Sequence, residues 1–84
     1  MINSYTPSLD LHGEYTGSAL VLTQEFINDN ITLKNEYVCI VHGIGTDVLR
    51  KCIHDYLSHD KRVISFKRDF FNPGMTIVKL KIND

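Results

Sequence analysis

The spacing of apolar and polar residues along the chain predicts a succession of short strands and helices. A brief alternation over residues 9–11 predicts a first strand. Residues 37–41 are apolar without alternation, which is typical of an interior strand. Residues 63–68 predict a third strand, and a turn at residues 72–74 precedes a fourth over residues 75–82. Alternation within this last strand directs one set of side chains to the core, namely Thr76, Val78, Leu80 and Ile82.

Two further stretches have the periodicity of amphipathic helices. The first spans about residues 16–30 and the second about residues 47–58. Short polar side chains cap helix N-termini well, and the candidates are Thr16 or Ser18 for the first helix and Thr46 or Asp47 for the second. The apolar faces comprise Ala19, Leu22, Phe26 and Ile27 in the first helix and Val48, Leu49, Cys52, Ile53, Tyr56 and Leu57 in the second.

The resulting element order, β-α-β-α-β-β, predicts an α/β fold, an α+β two-layer sandwich. Strand–helix–strand units favour parallel neighbours with right-handed crossovers, and the closing hairpin adds an antiparallel strand. Two helices can cover only one face of a four-stranded sheet. We therefore predict a mixed sheet with both helices on one face and an open, partly basic face on the other. No linker or repeat divides the chain, so residues 1–84 are expected to form one domain.

The composition is that of an ordinary folded domain. Hydrophobic residues make up 43% of the 84 residues and charged residues 23%, which excludes disorder as the default. No apolar run approaches the ~20 residues that a membrane helix needs, and the first residues lack the features of a signal peptide. We expect a cytoplasmic domain without membrane contact. Cys39 and Cys52 are expected to be reduced thiols rather than a disulfide or a zinc site.

Charge is unevenly distributed along the chain, although the net charge is only −1. Residues 1–49 contain one basic and six acidic side chains, whereas residues 50–84 contain eight basic and four acidic ones. Such segregation can give a near-neutral protein one positive face that attracts a polyanion. Solvated surface lysines explain the same charges equally well. Lys79 and Lys81, on the predicted open face, are the candidates for nucleic-acid contact.

Candidate catalytic side chains lie where two predicted strands end. Asp10 and His12 are two residues apart and leave the same face of the first strand. His42 directly follows the second strand. Ligands of open α/β sheets gather at the carboxyl ends of parallel strands, so both histidines are expected there. A carboxylate beside an imidazole orients it and raises its pKa, which suits general acid–base chemistry near neutral pH.

A glycine-containing loop follows His42 and precedes the second helix. In Gly43-Ile44-Gly45-Thr46, the glycines let backbone N–H groups approach a ligand at a helix N-terminus, which favours phosphate binding. Arg50, one turn into the helix, can supply a second contact to the same anion. A lone motif of this kind is more often a tight turn. Its convergence with two histidines favours the functional interpretation.

Other chemistry-bearing residues have simpler explanations. His54 and His59 leave the second helix about 140° apart, so we expect them to be solvated rather than to bind a metal. Exposed aromatic side chains can stack on nucleic-acid bases. Phe70 and Phe71 are instead expected to close the core at a loop.

Three segments resemble signatures of the Smr (small MutS-related) domain family. Residues 9–13, Leu-Asp-Leu-His-Gly, resemble its L-D-x-H-G opening. Residues 41–46, Val-His-Gly-Ile-Gly-Thr, followed by Leu49-Arg50, resemble its histidine and glycine loop before a helix that starts with Leu-Arg. Residues 74–80 resemble its G-x-T-x-V-x-L closing strand. All three stand in order within about residues 8–83, nearly the whole chain.

The resemblance implies a fold similar to the C-terminal domain of translation initiation factor 3. It also implies a nucleic-acid endonuclease or binding role, since family members variously nick DNA, cleave RNA and act at stalled or collided ribosomes. One departure is Asp47, where the family often has a third glycine. A carboxylate there would cap the helix but would repel a phosphate. Carried onto this chain, the family's functional positions are the catalytic pair Asp10 and His12, the loop residues His42, Gly43 and Gly45, and the phosphate contact Arg50.

Two functions compete for this site, and a third is kept open. In the first, an endonuclease cleaves RNA or nicks DNA while the glycine loop and Arg50 hold the phosphodiester. His12 and His42 exchange protons, and Asp10 orients His12 or binds a metal such as Mg²⁺ or Mn²⁺. In the second, the same scaffold binds nucleic acid or a ribosome without catalysis. The third is a protein-interaction domain, monomeric or homodimeric, that uses the open sheet face around Ile77.

Overall fold

The computed structural model describes residues 2–45 and 47–83, and within them the element order is the predicted β-α-β-α-β-β. The second and third strands have the predicted bounds, whereas the last strand already ends at Leu80. The elements are β1 (Ser8–Asp10), α1 (Thr16–Thr32), β2 (Tyr37–Val41), α2 (Val48–His59), β3 (Val63–Arg68) and β4 (Met75–Leu80).

The four strands form one mixed sheet in the order β1-β2-β4-β3. β1 lies parallel to β2, and β4 lies antiparallel to both β2 and β3. The expectation of parallel neighbours therefore holds for β1 and β2, whereas β4 separates β2 from β3. The difference follows from burial. Alternate residues of β4 are fully buried, which suits a central strand, whereas β3 is mostly exposed and has an irregular register at its start, which suits an edge.

Both helices cover the same face of the sheet, as predicted. Side chains of the central strands on this face are fully buried against α1 and α2. Full burial of an aliphatic side chain contributes about 1.5–3 kcal/mol, so this layer supplies the main driving force for folding. The hydrophobic core comprises Leu11, Ala19, Ile27, Val38, Ile40, Ile53, Leu57, Val78 and Leu80. The opposite face carries Ile77 and Lys79, both only half-buried, and is the open, partly basic face.

The first helix begins without the predicted side-chain cap. Tyr15 occupies its N-cap position and makes no capping hydrogen bond through its side chain. Ser18 lies inside the helix instead, where its hydroxyl donates to the Glu14 carboxylate and to the Tyr15 carbonyl. The prediction of a cap at Thr16 or Ser18 was therefore wrong, because the chain enters the helix one residue before the first hydroxyl side chain.

The second helix also departs from the predicted cap. Asp47 occupies the N-cap position, but its backbone is left-handed, with φ of 69°, and its carboxylate makes no capping hydrogen bond. Glycine adopts this conformation without steric cost, whereas an aspartate in it is uncommon. Thr46, the other predicted cap, lies outside the described residues.

Cys39 and Cys52 are not joined by a disulfide. Cys39 is buried in β2, and this burial raises the pKa of its thiol. Cys52 lies half-buried on α2.

Neither α1 nor α2 is long and apolar enough to cross a membrane.

Candidate functional site

Asp10 and His12 form an exposed pair at the carboxyl end of β1. The chain turns away there because Gly13 has a positive φ of 82°, which favours glycine. His12 donates both its backbone N–H, at 3.1 Å, and its Nδ1–H, at 2.7 Å, to Asp10 Oδ1. The Asp10 side chain is 60% exposed and the His12 side chain is 72% exposed. The carboxylate therefore fixes the ring and leaves Nε2 as the nitrogen that can meet a substrate.

The same hydrogen bond sets the protonation of the pair. The Asp10 carboxylate, as acceptor and as a nearby negative charge, raises the pKa of His12. The hydrogen bonds from His12 lower the pKa of Asp10 in return. An imidazolium thus persists to higher pH than on an isolated histidine, which suits a proton donor near neutral pH.

The glycine loop packs directly against this pair. Gly43 has a φ of 83°, and a Cβ added to it would lie 3.4 Å from the Cβ of His12. The backbone N–H groups of His42 and Gly43 both donate to the Gly74 carbonyl, at 2.9 and 3.0 Å. A Cβ on Gly74 would lie 3.3 Å from the Gly43 carbonyl carbon. Glycine at both positions therefore lets the end of β1, the glycine loop after β2 and the turn before β4 meet beside His12.

His42 faces the core, where hydrogen bonds connect it to α2 through Thr76. Its Nδ1–H donates to the Gly43 carbonyl at 2.9 Å, and its Nε2 accepts from the Thr76 hydroxyl at 2.8 Å. Thr76 Oγ1 accepts in turn from His54 Nε2–H at 2.6 Å. His54 Nδ1 faces a guanidinium N–H of Arg50 at 3.5 Å. We call this set, Arg50, His54, Thr76, His42 and Gly43, the Thr76 network.

This arrangement of hydrogen bonds is the one that two neutral imidazoles make, and the surroundings of both rings favour the neutral form. Burial lowers the pKa of His42. Burial, with the positive charge of Arg50, lowers the pKa of His54 to about 4. Only 5% of His42 is exposed and both its ring nitrogens are engaged. This geometry favours a role for His42 in holding the loop, and its predicted proton exchange stays a prediction.

The expectation that His54 is solvated was wrong. Its ring is half-buried on α2 and packs edge-on against Phe66, with the ring centroids 5.0 Å apart. Its position between the fully buried Ile53 and Leu57 was the available signal. Because it follows Ile53 directly and precedes Leu57 by three positions, it lies at the border of the buried face. His59 is exposed, as expected.

Arg50 is paired with the carboxylate of Asp47. Its Nε and Nη2 donate to the two carboxylate oxygens at 2.7 and 2.6 Å. Arg68, at the end of β3, donates a third bond at 2.7 Å. These bonds lower the pKa of Asp47 to about 2, with Arg50 as the main cause. Arg68 was not among the predicted site residues, since only the pairing of β3 with β4 brings it opposite Thr76.

A groove of about 400 Å³ lies beside the glycine loop. Residues 13–16 form one wall, and residues 42–45 with the start of α2 through Arg50 form the other. Gly43, Gly45 and Arg50 therefore line one cavity, as their predicted roles in phosphate binding require. A second depression of about 230 Å³ adjoins it, and Asp47 lines both.

Lys79 and Lys81 lie away from this groove. Lys79 pairs with Tyr37 at the start of β2, whereas Asp10 pairs with Val41 at its end. Four residues of strand separate the two positions, about 13 Å. Lys79 and Asp10 share the open face, and the Lys79 ammonium lies 5.8 Å from the Tyr37 ring centroid. The predicted basic contacts thus belong to the far end of the open face.

The expectation that Phe70 and Phe71 close the core was wrong. Each is 89% exposed, and their rings meet edge-to-face with centroids 5.1 Å apart. They follow Arg68 in the turn between β3 and β4. The turn is too short to fold back over a core that β4 already fills, so its aromatic side chains face solvent.

The described residues, 2–45 and 47–83, contain no group of three or more His, Cys, Asp or Glu side chains arranged to hold a metal ion. Asp10 remains a single carboxylate that is already bonded to His12. These donors do not fit a metal site with several protein ligands.

Comparison with known proteins identifies similar domains. The family model of the Smr domain matches residues 9–81. MutS2 endonucleases of Symbiobacterium thermophilum and Caldanaerobacter subterraneus subsp. tengcongensis are 34% and 38% identical over 79 and 80 residues. These matches cover 90% and 92% of this chain but 10% of each relative. The chain therefore spans about a tenth of the length of these curated relatives.

Two solved structures have the same fold. The Smr domain of Thermus thermophilus MutS2 matches with a TM-score of 0.88 and 30% identity, over 90% of this chain and 99% of that one. YdaL, a stand-alone small MutS-related protein from Escherichia coli, matches with a TM-score of 0.84. At 19% identity, over 88% of this chain and 63% of YdaL, that likeness shows the fold alone.

Fold and site together define a two-layer α/β domain that carries a His–Asp pair and a glycine loop at one edge of its sheet. The chain belongs to the Smr domain family, which confirms the resemblance of its three motifs.

The Thr76 network gives a prediction for stability. Replacing Thr76 with Val removes the partner of Nε2 on the buried His42 and of Nε2 on the half-buried His54, so we expect a loss of about 1–3 kcal/mol in the free energy of unfolding, measured in urea. Thr23→Val is the matched control. Thr23 is equally buried, and within the described residues its hydroxyl has no hydrogen-bond partner. Its removal should leave stability unchanged or higher, and equal losses in both variants would contradict the network.

Protonation of His12 gives a second prediction. The Asp10→Asn variant removes the charge that stabilises the imidazolium, so the pKa of His12 should fall toward the ordinary value of 6.5. The measurement is an NMR titration of the ring Cε1–H resonance. Asp55→Asn, which removes an exposed carboxylate on α2, should leave the His12 titration where it is. A His12 pKa that Asp10→Asn leaves in place would show that the pair does not form in solution.

Acid stability tests the neutral state of His54. Unfolded histidine titrates near 6.5 and the folded pKa is about 4, so the unfolded chain binds more protons between these values. The free energy of unfolding should therefore fall as pH drops from about 6.5 to about 4. In His54→Gln the free energy of unfolding should fall less steeply with pH, because the slope loses the contribution of up to about one bound proton. The measurement is urea unfolding at each pH. Identical slopes in the two proteins would place a charged His54 in the folded state.

Proposed function

We propose that this chain is a nucleic-acid endonuclease that cleaves RNA or nicks DNA at the site built around Asp10 and His12. The observation that carries the proposal is an exposed imidazole, oriented by a carboxylate, beside a glycine loop and a groove. Relatives that are named as endonucleases contain a similar domain and support the same reaction class.

In the proposed reaction, His12 is the proton donor. Its Nε2–H protonates the oxygen that leaves the phosphorus, while Asp10 holds Nδ1–H and stabilises the positive ring. On RNA the adjacent 2′-hydroxyl attacks the phosphorus and gives its proton to solvent. On DNA a water molecule must attack instead, which makes RNA the easier substrate. These steps are written with groups of this chain and of the substrate alone.

The glycine loop positions the phosphodiester in this proposal. The Gly43 N–H is already bonded to the Gly74 carbonyl, so Gly43 shapes the loop while the backbone near Gly45 contacts the phosphate and Arg50 contacts it from α2. His42 holds the loop from the core side, since it donates to the Gly43 carbonyl and is itself bonded to Thr76. This is a positioning role, in place of the direct proton exchange expected from the sequence.

The rest of the strand follows two further features of the surface. Phe70 and Phe71 offer exposed rings on which unpaired bases can stack, next to the positive charge of Arg68. Lys79 and Lys81 contact backbone phosphates farther along the open face. Stacking on aromatic side chains requires unpaired bases, so the proposal favours single-stranded regions.

A second candidate function is a nucleic-acid or ribosome binding module without catalysis. The observation that favours it is that His42 and Arg50, the two other predicted polar side chains of the site, are already bonded within the protein. His42 is buried and neutral, and Arg50 is paired with Asp47, so the site presents one exposed acid–base group. Salt-sensitive binding by a protein that cleaves no substrate would support this function over the first.

The test is a cleavage assay with labelled single- and double-stranded RNA and DNA, each with Mg²⁺, Mn²⁺ or EDTA. His12→Ala should lower the cleavage rate by at least about 100-fold while it still binds the substrate, because a positioned proton donor contributes that much. His59→Ala is the matched control, since His59 is also exposed and lies near an aspartate, Asp55. It should cleave at the wild-type rate. Equal cleavage by His12→Ala and wild type would exclude this site as the catalytic one.

A further inference from the structure

The Asp47 carboxylate is bound in the way that arginine binds a phosphate. Arg50 approaches it side-on with two N–H donors, at 2.7 and 2.6 Å. Arg68 adds a third donor from β3, also at 2.7 Å. The planar guanidinium fork fits carboxylate and phosphate oxygens equally well. Two arginines from separate elements thus converge on one anion, and that anion belongs to the chain itself.

This cluster borders two depressions of the surface. Asp47 lines both the groove beside the glycine loop and the adjoining depression, which Arg68 and Pro73 border. Its side chain remains 36% exposed, as against 20% for Arg50 and 40% for Arg68. The carboxylate can therefore rotate into solvent without unfolding either α2 or β3. Once it leaves, Arg50 and the positive N-terminus of α2 face the groove, and Arg68 faces the adjoining depression.

From this geometry we infer that Arg50 and Arg68 form a binding subsite for a phosphodiester group, and that Asp47 occupies the subsite in the free protein. The inference rests on the proposed function for the identity of the ligand. A phosphate of the strand displaces the carboxylate and takes over its three N–H donors. Asp47 thereby lowers the affinity for nucleic acid and for any competing anion.

The alternative is that Asp47 only cross-links α2 to β3 and holds the two arginines in place. The two interpretations predict opposite effects of removing the charge. Asp47→Asn separates them cleanly, because asparagine keeps the size of the side chain and tolerates the left-handed backbone at this position. Asp55→Asn is the control, since it changes the net charge equally at an exposed site on the same helix.

The first arm measures binding of a fluorescein-labelled 20-mer of oligouridine by anisotropy at several salt concentrations. We expect Asp47→Asn to bind about 3–10-fold more tightly than wild type, and Asp55→Asn to match wild type. Adding Arg68→Ala to Asp47→Asn should remove the gain. Binding by a folded Asp47→Asn variant that equals or falls below wild type would overturn the inference, since the carboxylate then organises the arginines.

Arg68→Ala alone keeps the inference testable if Asp47→Asn does not fold. Loss of one phosphate contact on a single strand should reduce the dependence of log K on log salt by about 0.7. An unchanged salt dependence in this variant would remove Arg68 from the subsite.

The second arm does not depend on nucleic acid. Sodium phosphate is added at constant ionic strength while the Nε–H resonances of Arg50 and Arg68 are followed by NMR. In Asp47→Asn they should shift at lower phosphate concentration than in wild type or Asp55→Asn. Such shifts in a protein that neither binds nor cleaves oligonucleotides would support the anion subsite and refute the proposed function. Equal shifts in all three proteins would refute the subsite while leaving the cleavage assay to decide the function.

Discussion

The site depends on one buried hydroxyl group. Thr76 lies on the central strand β4, fully buried, and its Oγ1 donates to one histidine while it accepts from another. Through these two bonds it fixes His42 after β2 and His54 on α2. His42 in turn holds the carbonyl of Gly43, which packs against His12. A buried polar group without its partners is costly, so the loop, the helix and the strand are constrained together.

The domain contains two kinds of histidine, neutral rings in the Thr76 network and an exposed ring beside a carboxylate. Burial lowers the pKa of His42 and His54 and keeps them neutral, whereas the Asp10 carboxylate raises the pKa of the exposed His12. Neutral rings can serve as fixed donors and acceptors in the core. A charged ring at the surface can release a proton. The same residue type therefore supports the loop from inside and offers acid–base chemistry on the outside, according to its environment alone.

The role of Asp47 also depends on its surroundings in the folded chain. The sequence placed Arg50 one turn into the second helix as a phosphate contact and favoured Asp47 as a helix cap that repels phosphate. The carboxylate instead leaves the helix N-terminus and bonds to Arg50 and Arg68. Its left-handed backbone turns the side chain toward β3, where a charged partner is available. A local capping preference of about 1 kcal/mol yields to two ion pairs, with three hydrogen bonds, that only the folded chain provides.

The sequence by itself determined the element order, the pairing of Asp10 with His12 and most of the buried face of each helix, although Val48, assigned to that face, is 57% exposed. These features depend on periodicity and on neighbours within two to four positions, which the chain order already contains. The three motifs also identified the family.

Only the tertiary structure decided which strand is central, that His54 bonds to Thr76, that Phe70 and Phe71 face solvent and that Arg68 reaches Asp47. Each of these depends on contacts between residues distant in sequence. Thr76 meets His42 across 34 positions and His54 across 22, and Arg68 meets Asp47 across 21. Such contacts are set by strand pairing and by the closing of the helix layer over the sheet, and no local pattern of residues encodes them.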